Sequence, residues 1–542
     1  MTKHSLLAAL SSLVFFLIAY FVVRDGHIHE DAYILFTYSE NLARTGIISY
    51  FEYGPPAEGA TDFLWMVMIS ALYFIGISSG VAALLLNTAG IFLSNLLLLK
   101  TASRYGASDI VNVFIAAYLP VSSLALAGYS GFSVALYTAL LLSLVYVTFF
   151  KQGKALLTIP VIGLIIALFR PDGALIAMIS SLLVLALLDK EHLKSYFLVL
   201  LGTGVIGIIY FVWRWNYFGE ILPLPLIVKG SSDRTLPGLG INLGWLLSVY
   251  YFVALAVFTI FLKHEQWKRL LVTATPICLY FCAILFAEQS QNIGARFQAP
   301  MEALLLFASV ISLAYLSSNL HWNNSSAHKG GIASMIVVLI AIQLGSLQRV
   351  QGDVGYLKNS DYINYFPVLL SSAANKDTKI ALTEAGRLAY WVPGSKYDLV
   401  GLNTPHTAVH GSTSKYLESL KPDLIFIHHA GTMPSLGCSS TDNFCEISNE
   451  EYIKAGVNDK TLDWLNSSNR VKSAPASVYQ YITEHPHRYQ IFAVRYWGQF
   501  NHVYALRIDG NITQESFIDA LAASYEPTNN VSYLDALKVS RD

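Results

Sequence analysis

The chain has 542 residues, of which 54% are hydrophobic and only 13% are charged, and its mean hydropathy is +0.48. Water-soluble chains usually carry about 25% charged residues, so this composition excludes an ordinary soluble protein. The net charge of −1 indicates no particular partner, and nucleic acid is not expected among the partners.

Long apolar runs recur between short polar segments before residue 350. Each is close to the ~20 residues that cross a hydrocarbon core about 30 Å thick, so we predict a polytopic helical membrane protein. The first run lacks a small-residue cleavage site after "FVVRDG" and is taken as a retained span, not a signal peptide. The candidate spans are 5–23, 63–79, 81–99, 109–127, 132–150, 155–169, 173–188, 195–213, 244–262, 270–287, 300–317 and 331–347.

The positions of lysine and arginine in the short loops show which candidate spans cross the membrane, because these residues concentrate on the cytoplasmic side. If residues 63–79 cross the membrane, Lys3 lies inside and all later basic clusters lie outside. If they do not, every cluster lies inside. We therefore predict that 63–79 is an interfacial helix, leaving about eleven spans with a cytoplasmic N-terminus. The predicted outer segments are 24–80, 128–131, 170–172, 214–243, 288–299 and everything after about 348.

The prediction divides the chain into a transmembrane domain, residues 1–348, and an extracytoplasmic α/β domain, residues 349–542. Strand-like "DLIFIHH" and "HVYALRI" and helical "QESFIDALAASY" support the α/β assignment of the second domain. This domain could act as a binding module. Three of its histidines could bind a ligand, although core or surface histidines are commoner: His406, His428 and His429.

The cysteines fit the same arrangement. Cys438 and Cys445 enclose "SSTDNF" in the outer domain, where an oxidising compartment favours a disulfide. A metal site is the weaker alternative, since no second cysteine pair accompanies them. Cys278 and Cys282 lie within a span and are predicted to be packing residues.

The first outer segment, 24–80, contains "EDAYILFTYSENLARTG", whose apolar spacing predicts an amphipathic helix ending at Gly46. Glu30 and Asp31 fall in its first turn, where the helix dipole favours carboxylates. Simple helix capping explains that position. A carboxylate beside a membrane cleft could also act as a general base or bind a divalent cation.

Cations recur in the other outer segments. Arg170 precedes Asp172 at a span end, where an ion pair could be merely structural. Lys229 and Arg296 could bind phospholipid headgroups, or the phosphate of a lipid-linked substrate. No Walker loop, dinucleotide-binding turn, GxSxG elbow, HExxH or EF-hand pattern occurs. Chemistry at the outer face would therefore use substrates that are already activated, such as a lipid-phosphate sugar.

The ordered motifs resemble those of the GT-C superfamily of polytopic glycosyltransferases, in particular its bacterial arabinofuranosyltransferase-like branch. The resemblance extends from about residue 25 to 410. It is carried by "EDAYI" with "ENLA", "EGATDFLW", "RPDG", "YFGEILPLPLIVK", "RFQAP", "TEAGRLAYW" and "DLVGLN".

This resemblance implies inverting transfer of a sugar from a polyprenyl-phosphate donor to an extracytoplasmic glycan or protein acceptor at the bacterial inner membrane. Asp31 would be the general base, with Glu30 beside it in the catalytic pair. Lys229, Arg296 and Arg170 would bind the donor phosphate. The sugar or acceptor pocket would be lined by His29, Tyr33, Glu58, Thr61 and Asp62.

The chain departs from the family pattern at three positions. Many relatives have Asp where this chain has Glu30, Arg where it has Thr37, and a carboxylate where it has Ser133. Without that carboxylate no metal ligands are assigned and no cofactor is certain, although a divalent cation remains compatible with the resemblance. The donor sugar is also open, with a pentofuranose favoured over a hexose such as mannose. A transporter or flippase with an outer sensor domain is the alternative from another functional class.

Overall fold

The computed structural model describes residues 2–24, 28–229, 236, 238–286, 289, 292, 295–319, 326–358, 362–428, 438–439, 441–456, 467, 469–496 and 498–526. His429, one of the three histidines considered above, lies outside these residues.

Helices dominate the described residues up to 358. In chain order they are α1 Lys3–Arg24, α2 Glu30–Thr45, α3 Phe63–Phe74, α4 Ser79–Arg104, α5 Asp109–Tyr118, α6 Ser123–Tyr129, α7 Val134–Phe150, α8 Ile159–Phe169, α9 Pro171–Leu183, α10 Lys190–Phe218, α11 Leu224–Lys229, α12 Leu239–Ser248, α13 Tyr250–Leu262, α14 Trp267–Leu285, α15 Ala299–Asn319 and α16 Ser326–Lys358. Short 3₁₀ turns occupy 119–121, 153–158, 184–187 and 264–266.

These helices identify a multi-pass membrane protein. Within the described residues, six helical segments are long and apolar enough to span a bilayer, and α12 with α13 makes a seventh if this pair, bent by 78°, counts as one span. Four shorter apolar helical segments, 134–150, 153–169, 171–187 and 333–349, coincide with the other predicted spans. The count of eleven and the orientation stay predictions.

The segment predicted to lie along the interface is short. Helix α3 has 12 residues, so at 1.5 Å per residue it covers about 18 Å, well under the ~30 Å of a hydrocarbon core. The ring of Phe74, at its end, is 78% exposed. These features fit a helix that does not cross the membrane.

The second part of the chain is the predicted α/β unit. Its six-stranded sheet has the order β2-β1-β3-β6-β5-β4, parallel among β2, β1 and β3 and antiparallel elsewhere. The strands are β1 Lys379–Leu382, β2 Ser395–Asp398, β3 Leu424–His428, β4 Phe444–Ile447, β5 Tyr489–Tyr496 and β6 Gln499–Arg507. The helices are α17 Phe366–Leu370, α18 Arg387–Trp391, α19 Pro405–His410, α20 Ser414–Leu420, α21 Asn449–Gly456, α22 Arg470–Glu484 and α23 Gln514–Ala523, with 3₁₀ turns at 362–364 and 371–373.

The predicted disulfide is confirmed. Cys438 and Cys445 are bonded, with their Cα atoms 5.8 Å apart. Cys278 and Cys282 are free thiols on α14, and both are exposed on the surface of the chain. The prediction that they are packing residues is therefore wrong: at i and i+4 they share one face of α14, and both are exposed.

The sheet unit docks directly on helix α2 through α18. The Arg387 N–H donates to Oε1 of Glu30 at 2.7 Å, and the Arg387 Nη2 donates to the Ile28 carbonyl at 2.6 Å. Further along α2, the Tyr390 hydroxyl donates to Oε1 of Glu40 at 2.6 Å. These contacts place α2 between the membrane helices and the sheet, where both parts can contribute to one site.

Candidate active site

The site begins at the N-terminus of α2. His29 is the N-cap residue, and its ring Nδ1 accepts the backbone N–H of Asp31 at 3.2 Å. The backbone N–H of His29 donates to the Ser130 carbonyl at 3.2 Å. Burial, only partly offset by Asp31, lowers the pKa of His29 to about 4. The ring is therefore neutral at pH 7, as an acceptor at a helix N-cap must be.

Asp31 is paired with an arginine that lies far away in sequence. The Arg296 Nη2 donates to Oδ2 of Asp31 at 2.8 Å, and the guanidinium carbon lies 4.1 Å from the centre of the Phe132 ring. The side chain of Asp31 is 25% exposed and that of Arg296 is 13% exposed. The pair is therefore held in place yet open on one side.

Asp31 is kept ionised by its surroundings. Burial alone would raise the pKa of this carboxyl, but the charge and hydrogen bond of Arg296, with smaller contributions from His29 and Lys229, hold it below its ordinary value. Lys229 is exposed at the end of α11 and close enough for its charge to act on Asp31. The predicted base therefore occurs together with Arg296 and Lys229, two of the three cations that the sequence assigned to the phosphate site.

The segment before Lys229 is fixed by a buried ion pair. Both carboxylate oxygens of Glu58 accept from Arg214, with Nε–Oε1 at 2.6 Å. The Arg214 Nη1 also donates to the Ile221 carbonyl at 2.7 Å, and the Leu224 N–H donates to the Glu58 carbonyl at 3.2 Å. Glu58, predicted to line the substrate pocket, is thus engaged by protein and positions the start of α11.

A second acidic group lies nearby. Oδ2 of Asp62 accepts from the Ser133 hydroxyl, and the Thr61 hydroxyl is 3.4 Å from the other Asp62 oxygen. The Arg170 Nε donates to Oδ1 of Asp172 at 3.0 Å, which is the structural pairing that the sequence left open. Burial raises the pKa of Asp62, against the opposing effects of Arg170 and Ser133.

Glu30 faces a different neighbourhood from Asp31. It accepts the Arg387 N–H, and its Oε2 lies 3.9 Å from the Arg387 Nη1. Burial and the nearby Glu384, opposed by Arg387, raise the pKa of Glu30 to about 8. The centre of the Tyr33 ring lies 5.6 Å from the Arg387 guanidinium carbon, so Tyr33 lies on the same side of α2 as Glu30 and Arg387.

Three possible metal ligands meet beside Glu30. Within the described residues, Glu384, His428 and His502 have ligand atoms that all lie within 4.8 Å of one another. The sequence singled out His428 but missed Glu384 and His502. The usable signal was that Glu384 follows one buried strand-like run and His428 ends another.

A cavity of about 800 Å³ with a mixed polar and apolar lining separates α2 from the β2 edge of the sheet. Its size matches that of ligand pockets, which usually have volumes of about 300–1,000 Å³. Aromatic, acidic and basic side chains share its wall. Among them are Glu40, Arg44, Glu52, Tyr53, Lys376, Asp377, Tyr390, Trp391 and Lys396.

Comparison with known protein families finds one match over part of the chain. Residues 362–495 match a domain of unknown function, DUF8728. Among proteins with curated functions, none matches.

Comparison with solved structures finds distant similarity to the oligosaccharyltransferase of Archaeoglobus fulgidus. The crystal structure of its complex with Zn and sulfate has 13% identity and a TM-score of 0.48, covering 79% of this chain and 68% of that one. The apo form has 11% identity and a TM-score of 0.49, covering 93% and 88%. TM-scores below 0.5 are too low to establish a shared fold.

Proposed function

We propose that this protein is a GT-C-type glycosyltransferase that moves a sugar from a polyprenyl-phosphate donor to an extracytoplasmic glycan or protein. The observation that carries the proposal is the grouping of an ionised, partly exposed Asp31 with Arg296 and Lys229 at the end of the membrane helices. We favour a pentofuranose such as arabinofuranose as the donor sugar and the bacterial inner membrane as the location. The active site would face the extracytoplasmic side.

In this mechanism Asp31 takes the proton of the acceptor hydroxyl. The hydroxyl oxygen attacks the anomeric carbon of the donor as the bond from that carbon to the phosphate oxygen breaks, and the electron pair leaves with the phosphate. Attack from the face opposite the phosphate inverts the anomeric centre. A phosphate is already a good leaving group, so one carboxylate is enough, unlike the acid–base or acid–nucleophile pair of glycosidases.

Cations beside Asp31 would stabilise the departing phosphate. The guanidinium of Arg296 lies over the ring of Phe132. Its hydrogen bond to Asp31 uses one of five N–H donors, so Arg296 could contact the Asp31 carboxylate and the donor phosphate at the same time. Lys229 supplies a point charge at the exposed end of α11. Arg170 is bound to Asp172, and its proposed contribution is to hold the Asp62–Ser133 side of the pocket.

The acceptor would approach from the side of the sheet domain. The cavity between α2 and β2 starts at Thr37, six residues and about 9 Å of helix from Asp31. Aromatic faces mixed with carboxylates and cations suit a neutral, polar ligand such as a glycan. This supports a role for the second domain in recruiting the acceptor.

A transporter is the second candidate, because one ionisable pair lies among the membrane helices. Oε1 of Glu302 on α15 accepts the Tyr118 hydroxyl at 2.6 Å, and its Oε2 lies 3.6 Å from Arg349 of α16. Transporters use such intramembrane charges. Glu302 and Arg349 are already paired with each other, so they do not indicate a transport path. The grouping of Asp31, Arg296 and Lys229 therefore favours sugar transfer over transport.

One assay separates the two functions. Purified protein in proteoliposomes would receive polyprenyl-phosphate arabinose or polyprenyl-phosphate mannose together with a membrane-derived acceptor. We expect a glycosylated product from the pentose donor, with an anomeric configuration opposite to that of the donor by NMR. Movement of the donor across the bilayer without covalent product would refute transfer and support the transporter.

A further inference from the structure

The sheet brings together three side chains that the proposed transfer does not use. Glu384 follows β1, His428 ends β3, and His502 lies directly opposite His428 in the register of β3 with β6. Strands β1 and β3 are parallel, so their carboxyl ends lie at the same edge. Ligands of open α/β sheets commonly bind at that edge.

The distances between these donors suit a small cation. Nδ1 of His428 lies 2.7 Å from Nε2 of His502 and 3.7 Å from Oε2 of Glu384. Ligands of tetrahedral zinc at about 2.0–2.1 Å from the metal lie roughly 3.3–3.4 Å from one another. The two measured separations bracket that value, so small side-chain rotations would place all three atoms around one ion.

The surroundings already orient the His502 ring. Oη of Tyr362 lies 2.5 Å from Nδ1 of His502, and the Tyr504 hydroxyl lies 3.1 Å from that of Tyr362. Metal-binding histidines usually have their second ring nitrogen hydrogen-bonded in this way, which fixes both tautomer and orientation. The backbone N–H of His428 donates to the Thr383 hydroxyl at 2.8 Å, which fixes the chain at the end of β3.

The local charge balance also favours a cation. The charge of Glu384 acts on Glu30, and Arg387 is a counter-charge to both, with its Nη1 3.9 Å from Oε2 of Glu30. That Glu30 oxygen is buried and accepts no hydrogen bond from any described residue. A bound cation would offset the repulsion between two acidic groups in a place with little water, where an uncompensated charge is costly.

We infer that Glu384, His428 and His502 bind a divalent cation of the zinc class, at a site separate from Asp31. One carboxylate and two imidazoles form a common ligand set for zinc, with a fourth position left for water. On binding, the metal replaces the proton between the two imidazole nitrogens, and the ring that carried this proton becomes protonated at its other nitrogen, so that both imidazoles stay neutral. The ion would tie together β1, β3 and β6 at this edge of the sheet.

The test is zinc binding by the full-length protein in detergent after treatment with a chelator. We expect about one tightly bound zinc per chain by elemental analysis and titration calorimetry, and a tetrahedral visible band when Co²⁺ replaces it. Second-sphere changes typically cost 10–100-fold in metal affinity, so loss of a ligand in Glu384→Gln or His428→Asn should weaken binding by at least about 100-fold.

The chain offers a matched control. His406 and His410 are exposed on α19 with ring centres 5.1 Å apart, a spacing that can chelate zinc adventitiously. The double variant His406→Asn with His410→Asn should keep the tight zinc. The inference is overturned if wild-type protein binds no tight zinc, or if only this control loses it. Metal-free melting temperatures of Glu384→Gln and His428→Asn close to that of metal-free wild type would show that the losses arise at the site.

Discussion

The adjacent carboxylates of Glu30 and Asp31 contact different residues in this structure. Successive residues on a helix do not share a face, so Asp31 meets Arg296 while Glu30 meets Arg387 of the sheet domain. The sequence predicted both in the first turn of a helix and assigned both to catalysis. It could not separate them, because Arg387 and Glu384 lie more than 350 residues away and nothing local pairs them with Glu30.

The first prediction concerns the pH dependence of turnover. Arg296 lowers the pKa of Asp31, against the effect of burial and alongside His29 and Lys229, while Glu30 and Glu384 are the nearby acidic groups. Arg296→Gln should therefore raise that pKa and shift the acidic limb of the kcat/KM profile to higher pH. Arg104→Gln, which changes an arginine on another helix, should leave the limb in place. An unshifted limb in Arg296→Gln would show that Asp31 is not the titrating base.

Lys396 gives a prediction about stability. Burial, with Glu52 opposing and Arg44 assisting, lowers the pKa of this lysine from 10.5 to about 7. The unfolded chain then binds more protons between those values, so stability should rise as pH increases from 7 toward 10. Lys396→Met should raise the melting temperature at pH 7 by a few degrees and flatten this rise. Equal pH dependence in both proteins would contradict the assignment.

At the scale of elements, α2 shows what local sequence determines. The predicted amphipathic helix with a glycine stop is observed from Glu30 to Thr45, and Gly46 has φ of +72°, a left-handed conformation that favours glycine. Helix α11 shows the opposite case. Its position depends on Glu58 and Arg214, which are 156 residues apart, so no local pattern could reveal that Glu58 supports the segment carrying Lys229.

That buried pair yields a third prediction. The side chains of Glu58 and Arg214 are 10% and 6% exposed, and breaking such a pair typically costs about 3–5 kcal/mol because one charge is left uncompensated. Glu58→Gln should lower the thermal stability and raise KM for the lipid donor more than it lowers kcat, since Lys229 is displaced. Glu220→Gln, in the same outer segment, is the control. A large loss of kcat with KM unchanged would instead favour direct contact of Glu58 with substrate.

For the molecule as a whole, the division into membrane helices and an α/β sheet follows from hydropathy and strand-like alternation. The contact between the membrane helices and the sheet cannot be predicted from either pattern. "TEAGRLAYW" resembles a recurring segment of the GT-C family, but its position against α2 is set by tertiary packing. The Tyr50 hydroxyl, for example, donates to the Ala385 carbonyl at 2.7 Å.

Gly386 makes this contact testable. A Cβ added there would lie 2.2 Å from the Glu30 carbonyl oxygen, whereas one added at Gly204 on α10 meets nothing within 4 Å. Gly386→Ala should therefore loosen the docking of the sheet domain, seen as faster proteolysis between the two parts and reduced transfer. Gly204→Ala should behave like wild type. Equal protection of both variants would show that this close contact is not required.

The most direct measurement of the central claim is single-turnover transfer by Asp31→Asn with donor binding measured in parallel. A general base contributes roughly 10²–10⁴-fold, so we expect at least about a 100-fold loss of rate with donor affinity largely kept. Asp109→Asn, whose side chain is 76% exposed beside Lys3, should transfer at the wild-type rate. Asp31→Asn turning over at the wild-type rate would contradict the assignment of this carboxylate as the base.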